Sequence, residues 1–270
     1  MSHPLPDMDK VSAVMAAVAK AEIMPLYERL SADQIDNKVS GEPVTEADIR
    51  AEQRLAEELS SLYPGAAVVG EEGVAADPKS AAPLDGDGPL WIVDPLDGTR
   101  NFAEGKPCFA VIIAFCRGGK TLAGWIHNPL DGQTAMAQIG EGAWMGGQRL
   151  RVAPAAPVGK MGASLSRRRR EKLAERVAPA AYPSRALRYG CLGMEYVDLT
   201  RGALHFAEYG GLKPWDHAAG LLMHAEAGGF AAMAADEAAY RPLLEQRVRL
   251  LVAPDRQSWR ELRAMMDFDH

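Results

Sequence analysis

Cysteine is scarce: Cys108, Cys116 and Cys191 are the three in 270 residues, and none stands in CxxC spacing. An odd count without a paired framework argues against a disulfide scaffold and fits reduced thiols in a cytoplasm. No apolar run approaches the ~20 residues that cross a bilayer. The opening Met1–Asp7 shows no basic segment leading into an apolar one, so a secretory signal is not expected. A basic excess is also missing. With 36 acidic residues against 30 Lys and Arg the formal net charge is −6, which argues against a general nucleic-acid binder. There is no GxGxxG for a dinucleotide fold and no repeat of fixed period. A soluble cytoplasmic protein is the expectation.

What is present suffices for a full core: 47% of residues are hydrophobic and 24% charged. Val11, Met15, Val18, Ile23, Leu26 and Leu30 recur near the helical period, predicting an amphipathic helix from Met8 to about Leu30 with Pro25 as a kink. A polar loop holding Lys38, Gly41 and Pro43 is expected from Asp33 to Val44. Thr45 then reads as an N-cap, with Asp48 in a near capping box, for a helix to about Leu62. Two short apolar runs, Ala66–Val69 and Leu90–Val93, each lead into carboxylates, and Gly73–Pro89 between them reads as an exposed loop. Phe109–Cys116 and Thr121–His127 form the arms of a predicted hairpin, with more strands to about Met145. The Ala/Pro-rich Val152–Lys160 is a candidate join between lobes. Helices are expected near Arg167–Val177, Gly193–Leu199, Trp215–Ala227 and from about Gln257, so sheets covered by helices are the predicted architecture.

Four acidic stretches carry the chemistry: Val44–Asp48, Val69–Glu72, Trp91–Thr99 and Lys213–Gly220. In the third, an apolar strand runs straight into Asp94 and Asp97, three residues apart, with Pro95 stiffening the bend and Gly98 permitting a close approach. Carboxylates gathered at one point are costly unless a cation sits among them, and hard oxygen donors suit Mg²⁺, Mn²⁺ or Ca²⁺. The backbone of Gly98-Thr99 could hold a phosphate beside such ions. Each stretch taken alone reads more readily as a turn or a solvated face.

Taken together and in this order, the Glu71-Glu72 pair, the hexad from Asp94 to Thr99 and Trp215-Asp216-xx-Ala219-Gly220 resemble the three signatures of the inositol monophosphatase family. That family lies within the lithium-sensitive phosphatase superfamily, and the match runs from about Lys38 to Gly220. The resemblance implies an α/β (α+β) fold, a layered αβαβα sandwich, commonly a homodimer. It also implies an N-terminal lobe, 1–152, with most metal ligands, and a C-terminal lobe, 153–270, supplying Asp216 and the substrate wall. Two to three Mg²⁺ ions are implied. Glu71, Asp94 and the Leu96 carbonyl would hold one, Asp94, Asp97 and Asp216 a second, and a third would sit near Glu71. Thr99, bonded to Asp48, would orient and deprotonate the attacking water, and Lys38 matches a loop lysine near the site. Leu96, Asp97, Gly98, Thr99, Asp216, Gly190, Leu192 and Glu208 would meet the substrate, Glu208 through sugar-ring hydroxyls. One extra residue between Glu208 and Trp215 departs from the family pattern there.

The implied reaction is hydrolysis of a small phosphate monoester by direct attack of water, with myo-inositol 1-phosphate first among substrates. Histidinol phosphate, fructose 1,6-bisphosphate and 3′-phosphoadenosine 5′-phosphate stay open. A regulator that binds RNA or a transcription partner on the same fold is the alternative from another class, disfavoured by the intact carboxylates. Among remaining motifs, Gly119-Lys120-Thr121 resembles the end of a P-loop, but Ala114 occupies the place of the first glycine and a hairpin turn is expected. His217 and His224, seven apart on one predicted helix, do not make a zinc motif. Ser164 and Ser166 fall where the family places the edge of the site. Arg167–Arg170 reads as an exposed helix start, or as a reader of a second phosphate.

Overall fold

The computed structural model describes residues 4–29, 35–38, 41, 43–244 and 248–268. Asp7 caps helix α1 (Met8–Val18), its Oδ1 accepting from the amides of Asp9 and Lys10. A π-helical turn, Ala19–Ile23, continues it. The helix therefore stops short of the expected end; Pro25 has no N–H to carry a ladder onward, and Leu30 lies outside the described residues. Asp33 lies outside them too. The described part of the predicted polar loop is a two-strand pairing of β1 (Ile35–Asn37) with β2 (Pro43–Thr45). Helix α2 (Glu46–Leu62) follows as predicted, with Thr45 and Asp48 in the capping box.

Seven strands in sequential order form the first sheet: β3 (Ala67–Gly70), β4 (Leu90–Asp97), β5 (Ala110–Arg117), β6 (Lys120–His127), β7 (Thr134–Gln138), β8 (Gly142–Met145) and β9 (Gln148–Arg149). Only β3 and β4 pair in parallel. The tight β5–β6 turn is Gly118-Gly119, with Arg117 opposite Lys120, so Gly119-Lys120-Thr121 runs from that turn into β6. Between β3 and β4 the expected exposed loop is instead α3 (Glu71–Ala76) and a 3₁₀ stretch, Pro78–Asp85. Its alanines and leucine are apolar enough to be used: Val74, Ala81 and Leu84 are buried in the core.

A second sheet has the order β11-β10-β12-β14-β13, made of β10 (Gly162–Ser164), β11 (Arg185–Leu187), β12 (Phe206–Gly210), β13 (Phe230–Met233) and β14 (Arg249–Ala253). Val152–Lys160 falls between the last strand of one sheet and the first of the other. The remaining helices are α4 (Thr99–Ala103), α5 (Arg167–Arg176), α6 (Leu192–Thr200), α7 (Pro214–Glu226) and α8 (Arg256–Met266).

Three apolar layers then follow from strand alternation. Trp91 and Val93 of β4 face α1 and α2, while Ile92 faces the opposite way, toward Tyr196 of α6 and Ala219 of α7. The second sheet lies over α6 and α7 through Ala207, Leu250 and Val252 and turns Phe206 and Leu251 toward Leu173 of α5 and Leu262 of α8. The stack is αβαβα. Its centre is tight because Ala219 and Gly220 are small. A Cβ on Gly220 would lie 2.1 Å from the Tyr196 ring, and one on Gly124 of β6 would lie 2.8 Å from Ala219 Cα. The closeness of α7 to the first sheet fixes where the start of α7 falls, and Asp216 stands there.

Candidate active site

Strand β4 is buried along its whole length and delivers Asp94 and Asp97 to its carboxyl end. Residues three apart on a regular strand point to opposite faces. Here the pairing with β5 shifts: Asp94 opposes Ile112 while Asp97 opposes Ala110, one residue more on β4 than on β5. That bulge turns both carboxylates toward the α6–α7 layer. Asp94 Oδ1 accepts the Leu96 amide at 3.1 Å. Asp97 Oδ2 accepts the Gly193 amide at 2.6 Å and the Cys191 thiol at 3.0 Å, both at the start of α6. Gly98 next to them has φ +90°, and a Cβ there would meet the Cys108 carbonyl at 3.0 Å, so glycine answers both conformation and space.

Glu71 opens α3 and Asp216 stands in the first turn of α7, positions where a helix dipole favours negative charge. One carboxylate oxygen from each of Glu71, Asp94 and Asp216 lies within 4.8 Å of the others. Asp97 lines the same cleft but is not part of that close group. Lys38 sits against this acidic cluster, its Nζ 2.7 Å from both Glu71 Oε1 and Glu72 Oε1. Burial works to lower the Lys38 pKa, but Glu71 and Glu72 overcome it and hold it above the ordinary lysine range. Burial also pushes Asp94 well up, helped by Glu71, Asp97 and Asp216 and opposed by Lys38. Burial raises Asp97 to about 6 against the hydrogen bonds from α6, and Glu72 to about 7 against Lys38. Glu195 in the cleft is paired with Arg188, which leaves Glu71, Glu72, Asp94, Asp97 and Asp216 facing Lys38, Lys213 at 3.9 Å from Glu71, and Arg100. That imbalance and the all-oxygen donor set fit hard divalent cations.

Beside the carboxylates Thr99 Oγ1 lies 2.9 Å from Asp48 Oδ1 and 2.9 Å from the Leu96 carbonyl. The other Asp48 oxygen accepts the Thr45 amide at 2.8 Å and its hydroxyl at 2.6 Å. The capping box of α2 thus orients the carboxylate that faces Thr99. Burial raises Asp48 to about 6, more than the hydrogen bonds from Thr45 and Thr99 and the charge of Lys38 lower it.

A raised folded-state carboxylate pKa stabilises the fold below the unfolded value, and that contribution is lost as pH rises through the folded value. For Asp48 the window runs from about 4 to about 6. Metal-free wild type should therefore lose stability relative to Asp48→Asn as pH is raised across it. The difference should be on the order of 2 kcal/mol, read from paired urea melts at pH 4.5 and 7. Parallel pH profiles in the two proteins would refute the burial account of Asp48.

The cleft encloses about 410 Å³, and Leu96, Gly98, Gly190 and Leu192 line it as the resemblance implied. Glu208 does not. It is 0% exposed, and its Oε1 is held by Arg249 at 3.0 Å and Arg169 at 3.3 Å on the outer side of the second sheet. The expectation that Glu208 meets a sugar ring is corrected: β12 alternates, so Glu208 points outward with Phe206 while Tyr209 points into the cleft. None of Arg167–Arg170 lines the cleft either, which removes them as readers of a second substrate phosphate there.

Two wall residues carried no local signal. Arg188 donates to Glu195 at 3.1 Å and to the Glu208 carbonyl at 3.0 Å, and its guanidinium lies over the Tyr209 ring. Glu195, 0% exposed, also accepts the Tyr189 amide at 2.8 Å. Only the fold puts this pair in the cleft, although both types are rarely buried without a partner. His217 also lines it, bonded to the Tyr196 hydroxyl through Nδ1 at 2.8 Å. Burial, and after it Arg188, lowers His217 to about 3, so it is neutral at physiological pH.

Comparison with known proteins agrees with this geometry. The profile of the "Inositol monophosphatase family" matches residues 7–265. An inositol-1-monophosphatase of Mesorhizobium japonicum is 36% identical over 203 residues, 73% of this chain and 74% of that protein. A fructose-1,6-bisphosphatase/inositol-1-monophosphatase of Thermotoga maritima is 30% identical over 227 residues, covering 82% and 84%. The solved structure of a Thermotoga maritima IMPase superposes with a TM-score of 0.82 at 25% identity, over 96% of each chain. With its acidic cleft between two helix-covered sheets, the chain belongs to the inositol monophosphatase family and is a phosphoric monoester hydrolase.

Proposed function

We propose that the protein hydrolyses a small phosphorylated metabolite with Mg²⁺, myo-inositol 1-phosphate first among substrates, by direct attack of water. The observation that carries this reading is the convergence of Glu71, Asp94 and Asp216 within 4.8 Å, beside the Thr99–Asp48 hydrogen bond. Glu71, Asp94 and Asp216 would hold the cations, joined by Asp97 and the Leu96 carbonyl. When bound, Mg²⁺ supplies charge neutralisation for the phosphoryl group and acidifies water. Thr99 donates its single proton toward Asp48 and so turns lone pairs to a water. As that water attacks, Thr99 can take its proton while passing its own to Asp48. The raised pKa of Asp48 suits it to receive that proton. The α4 start at Gly98 and Thr99 offers backbone amides to phosphate oxygens.

The leaving group meets Arg188, Tyr209, Gly210 and Lys213, with Arg100 at the rim. These cations favour a second reading, a sugar bisphosphate such as fructose 1,6-bisphosphate, because guanidinium groups take a second phosphate well. Phosphate release with and without Mg²⁺ decides both points, using inositol 1-phosphate, fructose 1,6-bisphosphate, histidinol phosphate and 3′-phosphoadenosine 5′-phosphate. No Mg²⁺-dependent release from any of them would sink the proposal.

Because Glu208 faces away from the cleft, Glu208→Ala should leave KM for inositol 1-phosphate within about twofold. It should nevertheless destabilise the fold by about 2 kcal/mol or more, since it strips Arg169 and Arg249 of their shared carboxylate. A rise in KM of tenfold with unchanged Tm would restore the ring-binding role instead.

A further inference from the structure

The arginine run that the active cleft does not use lines a cavity of its own. On the outer face of the second sheet Arg168, Arg169, Lys172 and Arg249 surround a hollow of about 130 Å³, with Ser166 and Phe268 completing it. The only carboxylate ion-paired to these four side chains among the described residues is Glu208, buried beneath and shared by Arg169 and Arg249. Arg167, the next arginine along, is occupied by Glu171 on the exposed side.

Two local rules are broken here. Cations crowd the first turn of α5, where the helix dipole disfavours them and the turn itself holds no acidic residue. Arg168 and Lys172 stand four apart on that helix, a like-charge spacing that weakens it. Meanwhile Arg169 is held in place. Its side chain is 13% exposed, donates to the Met266 carbonyl at 3.0 Å, and lies 4.6 Å over the Phe268 ring. Gly210, opposite Arg249 in the β12–β14 pairing, leaves room for that guanidinium, since a Cβ there would lie 2.7 Å from its Nη1. Local rules that fail together around a concave, prepared set of donors mark a binding site.

The geometry points to a second anion site, distinct from the catalytic cleft, that takes a phosphate-class oxyanion: inorganic phosphate or the phosphate of a small metabolite. A tetrahedral dianion fits the hollow, neutralises the Arg168–Lys172 repulsion and meets fork-shaped donors suited to it. The two sites lie on opposite sides of β12, since Glu208 turns to this cavity's arginines and Tyr209 to the cleft.

The test is calorimetric titration of the intact protein in chelator, with inorganic phosphate and glycerol 2-phosphate in parallel, against chloride of matched ionic strength. Without divalent metal the acidic cleft repels such ligands. Wild type should bind at least one of them saturably at one site, and the tighter one identifies the source. Arg168→Gln/Lys172→Gln should weaken that binding by about tenfold or more. It should leave Mg²⁺-dependent turnover of a monophosphate unchanged, and its Tm without phosphate should stay level or rise as repulsion is removed. Lys38→Gln, in the cleft, should bind as wild type does. No saturable binding by wild type, or binding lost in Lys38→Gln and kept in the double variant, would overturn the assignment. So would a basic patch that captures an RNA oligonucleotide but neither small phosphate. Failure of catalysis in the substrate panel leaves this titration unaffected.

Discussion

Asp94→Asn should abolish turnover while the fold persists, and the metal-free variant should be more stable than wild type. Asp94 is buried on β4, held among Glu71, Asp97 and Asp216, and pushed up first by burial and then by those neighbours. Removing its charge relieves repulsion that Lys38 offsets only in part. On the proposed reading, the same charge would draw cations into the cluster. The loss in kcat should be at least ~10³-fold, the upper end for removal of one electrostatic contributor at a reacting centre. Isothermal titration with Mg²⁺ should show weakened binding, and chelator-treated samples should show a higher Tm for the variant. Asn is nearly isosteric and can still accept the Leu96 amide through its carbonyl oxygen. Appreciable turnover at ordinary Mg²⁺ would remove Asp94 from the centre of the site.

Thr99→Ala is the second large effect. Loss of general acid–base assistance is typically worth ~10²–10⁴-fold. The change should fall mainly on kcat, because Thr99 bonds Asp48 and the Leu96 carbonyl but none of the three converging carboxylates. Asp48→Asn should reproduce most of the loss. Asp48 touches Thr99 with one oxygen and the Thr45 cap with the other, so its amide would keep at most part of that geometry. Acting as one unit, the two residues should give a double variant hardly slower than the worse single one. Steady-state kinetics on the four proteins measures this. Effects that multiply would mean that Asp48 serves α2 alone.

Local features were legible from the residues alone. The Thr45–Asp48 box, the β5–β6 turn, the start of α5 and the strand running into Asp94 depend on neighbours a few positions apart, and each stands where the sequence put it. Gly73–Pro89 was less readable. Its prolines and glycines suggest exposure, but Ala81 and Leu84 gain more by covering the edge of the first sheet.

The sequence by itself determined the identity of the acidic groups, the helix start that favours Asp216, and the order that revealed the family. Tertiary structure decided which groups share a space. The bulge in β4 turned Asp94 and Asp97 to one face, and the small residues of α7 brought Asp216 within reach of Glu71. Alternation along β12 sent Glu208 away from the cleft, and the packing of α6 placed Arg188 and Glu195 in it. The physical reason is the same in each case. A strand side chain reverses face with a shift of one residue, and a buried charge is stable only beside a partner that the chain supplies from far away.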